Sequence, residues 1–387
     1  MRSRIWRACA RGVSPSLVVI DWTIAQRMGE LIAGSPPDGD AAADSLQPLA
    51  QDFAERVSAY TELALPDALP PLETVDRPTW IAANLRSMRP MVEPLTERMQ
   101  PGFGPLSKLG PIGKLNPLAR LGPNIEPLSH AMNSVTGYLL GAQIGALTGV
   151  LSQRVLGQYD LSLLDDTVPP RLLLVAPNLA HASQQLGVDH NELVSWVTIH
   201  ELTHAVQFSG APWLRTHLGD LLRQLIAALE VSVTPGSLLK RPGSSDLRDL
   251  AERLRRGELL RVTLGEERWQ LVERMQATMS LVEGHAEHVM DVVGAEVLPS
   301  MPQLRDAMTR RRGTRGLPWR VFERLLGLEL KMRQYKVGRA FCDAIVAADG
   351  PAGLARVWAG PEMLPTMAEL DAPQLWLDRT HVPPVTK

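Results

Sequence analysis

The sequence predicts a mainly helical fold with a small β-sheet or hairpin. Aromatic residues make up only 5% of the 387 residues, whereas Leu, Ala and Arg are abundant, and this composition favours helices over sheets. Apolar residues recur at a spacing of three and four along most of the chain, which is typical of helices with one buried face. Only residues 158–164 and 171–176 have the composition of a pair of strands.

The first hundred residues predict three helices, broken by prolines that follow Ser35 and by the proline-rich stretch 66–71. These helices are predicted at Ile20–Ala33, Ala42–Leu65 and Thr79–Gln100. Residues 101–127 are rich in Pro and Gly and predict a linker or loop. We therefore expect an N-terminal helical region over 1–100, this linker, and a helical domain over 128–387.

A glycine stripe marks the segment that follows the linker. Residues 127–153 contain no Asp, Glu, Lys or Arg and are long enough to span a bilayer. Four glycines recur at every fourth position: Gly137, Gly141, Gly145 and Gly149. Such a stripe forms helix dimers in membranes and close helix contacts in soluble cores. Because the segment contains several polar residues and its glycines dilute the hydropathy, we expect a helix in a soluble core and no membrane insertion.

Charge and cysteine usage exclude several classes of protein. The net charge of -2 argues against a nucleic-acid partner bound by phosphate neutralisation. The two cysteines, Cys9 and Cys342, are too few and too far apart for a disulfide framework or a cysteine-based zinc site. The N-terminus has no secretion signal that we can identify. We therefore expect a cytoplasmic protein, and the sequence leaves its oligomeric state open.

The strongest functional signal is an H-E-x-x-H motif formed by His200, Glu201 and His204. Asp189 followed by Glu192 has the spacing of a capping box that opens a helix just before the motif. On a helix, the two imidazoles lie one turn apart on one face, so both can reach one metal ion. Glu201 lies one residue further round, where a carboxylate can take a proton from metal-bound water.

A catalytic zinc site needs a third protein ligand, and with so few cysteines this must be His, Asp or Glu. A long helix predicted over 267–292 offers four candidates: Glu283, His285, Glu287 and His288. At about 100° per residue, the two carboxylates share one face and the two histidines share another. Apolar neighbours indicate that the carboxylate face is buried, and a buried carboxylate needs a cation or a metal.

H-E-x-x-H followed by E-G-x-A at Glu283–Ala286 is similar to the zincins that use glutamate as the third zinc ligand, often called gluzincins. Three wider blocks, 200–208, 283–288 and 331–335, resemble the zincin-like metallopeptidase type 2 family. Members of that family are often named after the biosynthesis of a deazaflavin coenzyme, a name taken from gene neighbourhood. The resemblance covers roughly residues 130–375 and is loose over 1–125.

The resemblance implies a zincin-like metallopeptidase core that holds Zn²⁺ through His200, His204 and Glu283, with Glu201 as the general base. It also implies that Glu287, four residues after the third ligand, accepts a hydrogen bond from His200. An ordinary solvated glutamate is the alternative for Glu287.

A peptidase also needs a group that stabilises the tetrahedral oxyanion. Tyr335, in a polar stretch at 331–336, is our candidate, with a purely structural hydroxyl as the alternative. His285 and His288 are further candidates, although they fit core positions or support for a ligand imidazole as well. The strand at Leu172–Ala176 precedes the motif helix, where zincins place the sheet edge that binds an extended peptide. A plain core strand is the alternative.

These residues predict a zinc metallohydrolase, in the first place a peptidase acting on a peptide or another amide-containing substrate. Two alternatives remain open. The chain could be a catalytically inactive binding or assembly protein in which zinc is a structural clamp. It could also hydrolyse a non-peptide amide with the same residues.

Overall fold

The computed structural model of the chain describes residues 19–34, 43–96, 126–231, 266–313 and 328–380. Over these residues the predicted mainly helical fold with a small sheet is confirmed. The helices are α1 (Trp22–Ala33), α2 (Ala43–Thr61), α3 (Arg77–Thr96), α4 (Glu126–Ser152), α5 (Ala176–Leu186), α6 (His190–Gly210), α7 (Trp213–Val231), α8 (Glu266–Val297), α9 (Met301–Gly313), α10 (Leu328–Ala355), α11 (Met367–Asp371) and α12 (Pro373–Thr380). Short 3₁₀ turns lie at Arg356–Trp358 and Pro361–Met363.

Helix α6 begins where the sequence predicts it. The Asp189 carboxylate accepts a hydrogen bond from the Glu192 backbone N–H at 2.9 Å, which satisfies one of the free donors of the first turn. The Glu192 carboxylate does not complete the predicted capping box. It accepts instead from the backbone N–H and the hydroxyl of Ser300, just after α8. The start of the motif helix is thereby tied to the end of the helix that carries Glu283.

The described residues form one three-stranded sheet in the order β1-β3-β2, with β1 at Leu72–Val75, β2 at Gly157–Asp160 and β3 at Arg171–Val175. The predicted hairpin is present, because β2 and β3 pair antiparallel. Strand β1 pairs parallel with β3 and is absent from the sequence prediction. It is only four residues long and directly follows the prolines of 66–71, so the local sequence predicts a loop between two helices and not a strand.

The expectation that Leu172–Ala176 forms the peptide-binding edge is wrong. Strand β3 has a partner on both sides, so its backbone groups are already used within the sheet. The edge strand that faces the motif helix is β2. On this side of the sheet, an extended ligand could therefore pair only with the backbone of β2, residues 157–160.

The core lies on both faces of β3, because successive side chains of a strand point to opposite sides. Leu172 and Leu174 pack into the larger cluster, which is built mainly from α2, α6, α8 and α10. Leu173 and Val175 pack into a smaller cluster with α1 and α3. The N-terminal helices thus share their core with the rest of the chain, while the boundaries predicted at 100 and 127 stay predictions.

The glycine stripe of α4 packs against α1, as the sequence predicts for a close helix contact. A Cβ on Gly145 would lie 2.0 Å from the Ala25 carbonyl oxygen, and one on Gly141 would lie 2.4 Å from that of Asp21. Gly137 and Gly149 meet α1 or the residues just before it in the same way. Only glycine allows the two backbones to approach so closely.

The opposite side of α4 is exposed, which differs from the expected core helix. Val135, Tyr138 and Leu139 are each about half exposed. The stretch Ser134–Ser152 is long and apolar enough to cross a membrane, with a mean hydropathy of 1.3 and 28% of its residues buried. The expectation that α4 does not insert into a membrane stays a prediction.

We predict that Gly145→Ala destabilises the protein by about 1–3 kcal/mol or more, because the new methyl group would overlap the Ala25 carbonyl and force α1 and α4 apart. Chemical denaturation measures this change. Gln143→Ala, at an exposed position of the same helix, is the control and should leave the unfolding free energy almost unchanged. Equal stability of the two variants would contradict the close contact.

Candidate metal centre

Helices α6 and α8 cross so that the three predicted zinc ligands come together. The His200 and His204 rings have their centroids 4.9 Å apart and are nearly perpendicular. Glu283 Oε2 lies 3.7 Å from His200 Nε2 and 3.8 Å from His204 Nε2. One donor atom from each of the three residues lies within 4.8 Å of the other two.

The spacing and chemistry of this cluster fit a zinc ion. Ligands about 2.0–2.2 Å from a tetrahedral zinc lie about 3.4 Å apart, a few tenths of an ångström closer than the distances observed. Two imidazoles and one carboxylate form a common catalytic donor set for zinc. The side chains of His200 and Glu283 are each 21% exposed, so the cluster is open to solvent on one side. Three ligands with an open side are typical of catalytic zinc sites, whereas structural sites are closed by four.

The glycine of E-G-x-A allows α10 to pack closely behind the ligand helix. A Cβ on Gly284 would lie 2.2 Å from the Gly338 carbonyl carbon, and one on Gly338 would lie 1.8 Å from the Ser280 carbonyl oxygen. The two glycines therefore form a contact between α8 and α10 next to Glu283. This contact fixes the position of α8, and with it that of the third ligand.

The Glu201 carboxylate is buried beside the cluster and is held by the sheet edge. Its Oε2 accepts a hydrogen bond from the Tyr159 backbone N–H at 2.7 Å. A Cβ on Gly157 would lie 2.5 Å from Val197 Cγ1 and 3.0 Å from Glu201 Oε1, so the glycine lets β2 lie directly on α6. Burial raises the pKa of Glu201 above its ordinary value, although the neighbouring imidazoles lower it in part.

The charge around His200 favours a cation. Burial alone would lower the pKa of this imidazole, but the carboxylates of Glu283, Glu201 and Glu287 together raise it above 6.5. Glu287 is buried and close enough to contribute to that shift. The hydrogen bond predicted between Glu287 and His200 stays a prediction.

Gln207, which sequence reasoning did not assign to the site, lies behind His204. Its Oε1 is 2.8 Å from His204 Nδ1, and its Nε2 is 2.9 Å from the Val282 carbonyl and 2.8 Å from His285 Nδ1. Burial is the main cause that lowers the pKa of His285 to about 3, so this imidazole is neutral. The available signal was a polar residue three positions after His204, on the same face of a buried helix.

His288 occupies a different environment from His285, although the sequence predicts one shared face. Its Nε2 lies 2.7 Å from the Tyr60 hydroxyl, and its Nδ1 lies 2.6 Å from Asp343 Oδ1. His288 thus links α2 to α10, whereas His285 contacts the group behind His204. Tyr335 lies in α10, but its side chain is outside the described part of the chain, so its oxyanion role stays a prediction.

The sequence profile of the zincin-like metallopeptidases matches residues 20–377, nearly the whole chain. The chain belongs to this family. The crystal structure of a "putative hydrolase with a novel fold" from Chloroflexus aurantiacus is similar, with 31% sequence identity and a TM-score of 0.65. That match covers 93% of this chain and 98% of the other. No curated protein matches the chain. The family assignment made from the motifs is confirmed, and it extends over the N-terminal helices that the motifs matched only loosely.

We predict that zinc binding to this zincin-like protein weakens as the pH falls, starting above the ordinary histidine pKa. Zinc must displace a proton from His200, whose pKa in the metal-free protein lies above 6.5. Affinity should fall about tenfold per pH unit once that proton is bound. Competition with a chelator between about pH 8 and about pH 5 measures this, with the chelator's own pH dependence taken into account. An affinity that stays constant across this interval would contradict the prediction.

We predict that Glu287→Ala weakens zinc binding by about 10–100-fold, because Glu287 would no longer support the His200 imidazole. Glu287→Gln keeps a hydrogen-bond acceptor and should lose less affinity. Chelator competition measures both variants. An unchanged affinity in Glu287→Ala would show that Glu287 has no part in the centre.

Proposed function

We propose that this zincin-like protein is a zinc-dependent hydrolase that cleaves an amide bond, in the first place a peptide bond. Family membership supports hydrolysis in general. The observation that carries the proposal is the placement of Glu201 beside a three-ligand cluster. One carboxylate oxygen is held by the Tyr159 N–H, and the other lies on the side of Gly157.

Zinc bound by His200, His204 and Glu283 would polarise a substrate carbonyl and lower the pKa of water to about 7. The protein itself supplies the base. Because Glu201 Oε2 is fixed by the Tyr159 N–H, Oε1 is the oxygen that accepts a proton from the attacking water and passes it to the leaving amine. The pKa of Glu201, raised by burial, suits a group that must both take up and release a proton near neutral pH.

The edge of β2 supports a peptide over a small amide. The Val175 N–H donates to the Leu156 carbonyl, and hydrogen-bonded pairs alternate along an antiparallel ladder. Gly157 and Tyr159 therefore belong to pairs whose backbone groups point away from β3. The Tyr159 N–H on this edge is already held by Glu201, so an extended peptide next to Glu201 could pair only with the carbonyls of Gly157 and Tyr159.

A zinc clamp in an inactive protein explains fewer of these features. A purely structural ion needs neither an exposed side nor a carboxylate held next to it. Here the ligand side chains of His200 and Glu283 remain accessible, and Glu201 is kept buried at the expense of its solvation. Hydrolysis of a non-peptide amide would use the same three ligands and the same base, so only the substrate distinguishes it.

We predict that Glu201→Gln keeps zinc and lowers turnover by about 10²–10⁴-fold, because a positioned base contributes about that much. The Gln carbonyl oxygen can still accept from the Tyr159 N–H, which leaves its NH₂ group where the proton should be accepted. The measurement is cleavage of a peptide library and of small amides by the zinc-loaded protein, together with its metal content.

The control for this experiment is His204→Ala, which removes a ligand and should lose zinc and activity together. Cleavage of small amides but not of peptides would assign the non-peptide reaction. Full activity in Glu201→Gln, or no cleavage of either substrate class by the zinc-loaded wild type, would leave zinc as a structural clamp.

A further inference from the structure

The amide of Gln207 is a fully buried polar group that joins the two ligand helices behind the metal centre. We propose that Gln207 is a positioning residue that holds His204 in the tautomer able to bind zinc through Nε2. This inference rests on the proposed zinc binding, but not on the reaction or on the substrate.

The Val282 carbonyl determines which way round the amide lies. A carbonyl oxygen can only accept a hydrogen bond, so the amide atom 2.9 Å from it must be the NH₂ group. His285 agrees with this orientation, because its neutral ring can accept the second N–H through Nδ1 at 2.8 Å. Both hydrogens of the Gln207 amide nitrogen then have an acceptor.

This orientation of the amide determines which ring nitrogen of His204 carries the proton. The remaining amide atom, Oε1, lies 2.8 Å from His204 Nδ1 and can only accept, so Nδ1 must carry the proton. The lone pair of the neutral imidazole is then on Nε2, the atom that lies 3.8 Å from Glu283 Oε2. The donor to the metal is thus selected before any metal arrives.

The same amide couples the second ligand to the third. Val282 immediately precedes Glu283, so the hydrogen bond to its carbonyl holds α8 at a fixed distance from α6 beside the cluster. In metal centres generally, partners that orient a ligand imidazole change metal affinity by about 10–100-fold. Gln207 makes such contacts with the ligand His204 and with the backbone next to the ligand Glu283.

A purely structural amide would have the same burial, so the test must separate orientation from stability. Gln207→Met conserves volume but removes the acceptor. Gln207→Glu keeps an acceptor for His204 Nδ1–H and loses both donated hydrogen bonds. In the carboxylate both ends accept, so no orienting contact is needed. The proposal therefore predicts that Met weakens zinc binding most, and that Glu, which keeps the acceptor for His204 but not the hydrogen bond to Val282, loses clearly less.

The matched control is Asn178, another buried amide with three hydrogen bonds. It donates to the carbonyls of Ser152 and Val155 and accepts from Arg77. Asn178→Leu should lower stability and leave zinc affinity unchanged. The affinities are measured by chelator competition and the stabilities by denaturation of the metal-free proteins.

We expect Gln207→Met to bind zinc about 10–100-fold more weakly and Gln207→Glu to retain most of the wild-type affinity. Ring-nitrogen NMR of the zinc-loaded wild type should show the His204 proton on Nδ1, a readout that does not depend on any variant folding. Unchanged affinity in Gln207→Met, equal losses in Met and Glu, or a proton on Nε2 would overturn the proposal. A wild type that binds zinc without cleaving any amide would overturn only the proposed reaction.

Discussion

The architecture of this zincin-like protein depends on one constraint, which is that a helix buried on nearly all sides carries the polar groups of the site. From Leu193 to Gln207, α6 is almost continuously buried, and Glu201, His204 and Gln207 lie within this stretch. A buried polar or charged group is costly unless it has a partner. Each of these side chains has a partner outside α6. The partner of Glu201 is the Tyr159 N–H in β2, that of His204 is Glu283 in α8, and that of Gln207 is the Val282 carbonyl, also in α8.

Glycines bring those partners within reach, because hydrogen bonds and metal bonds require distances that a Cβ would prevent. Gly157 lets the sheet edge lie on α6, so that the Tyr159 N–H can reach Glu201. Gly284 and Gly338 let α10 pack behind α8, which fixes Glu283 from the other side. The polar contacts of the site therefore depend on the close packing of the backbone that these glycines allow.

Local periodicity explains what the sequence could predict. Helical spacing places His200 and His204 on one face, so the two imidazole ligands follow from the sequence, whereas the resemblance to the glutamate zincins singles out Glu283 as the third ligand. Strand β1, the role of β2 as the edge and the place of Gln207 depend on contacts between distant segments, which no local pattern encodes. For the same reason helical spacing predicts one shared face for His285 and His288, although His285 contacts Gln207 in α6 and His288 contacts Asp343 in α10.

The electrostatics of the centre favour a cation even before its reaction is considered. Glu201, Glu283 and Glu287 surround the two motif imidazoles, and their combined field raises the pKa of His200 against the effect of burial. In the metal-free protein this field favours a proton on His200. A divalent ion would satisfy the same field more fully, because it would bring two charges to three carboxylates and could use the lone pairs of the two imidazoles and Glu283. The carboxylates that make the centre costly to bury without a cation are thus the groups that would favour a metal there.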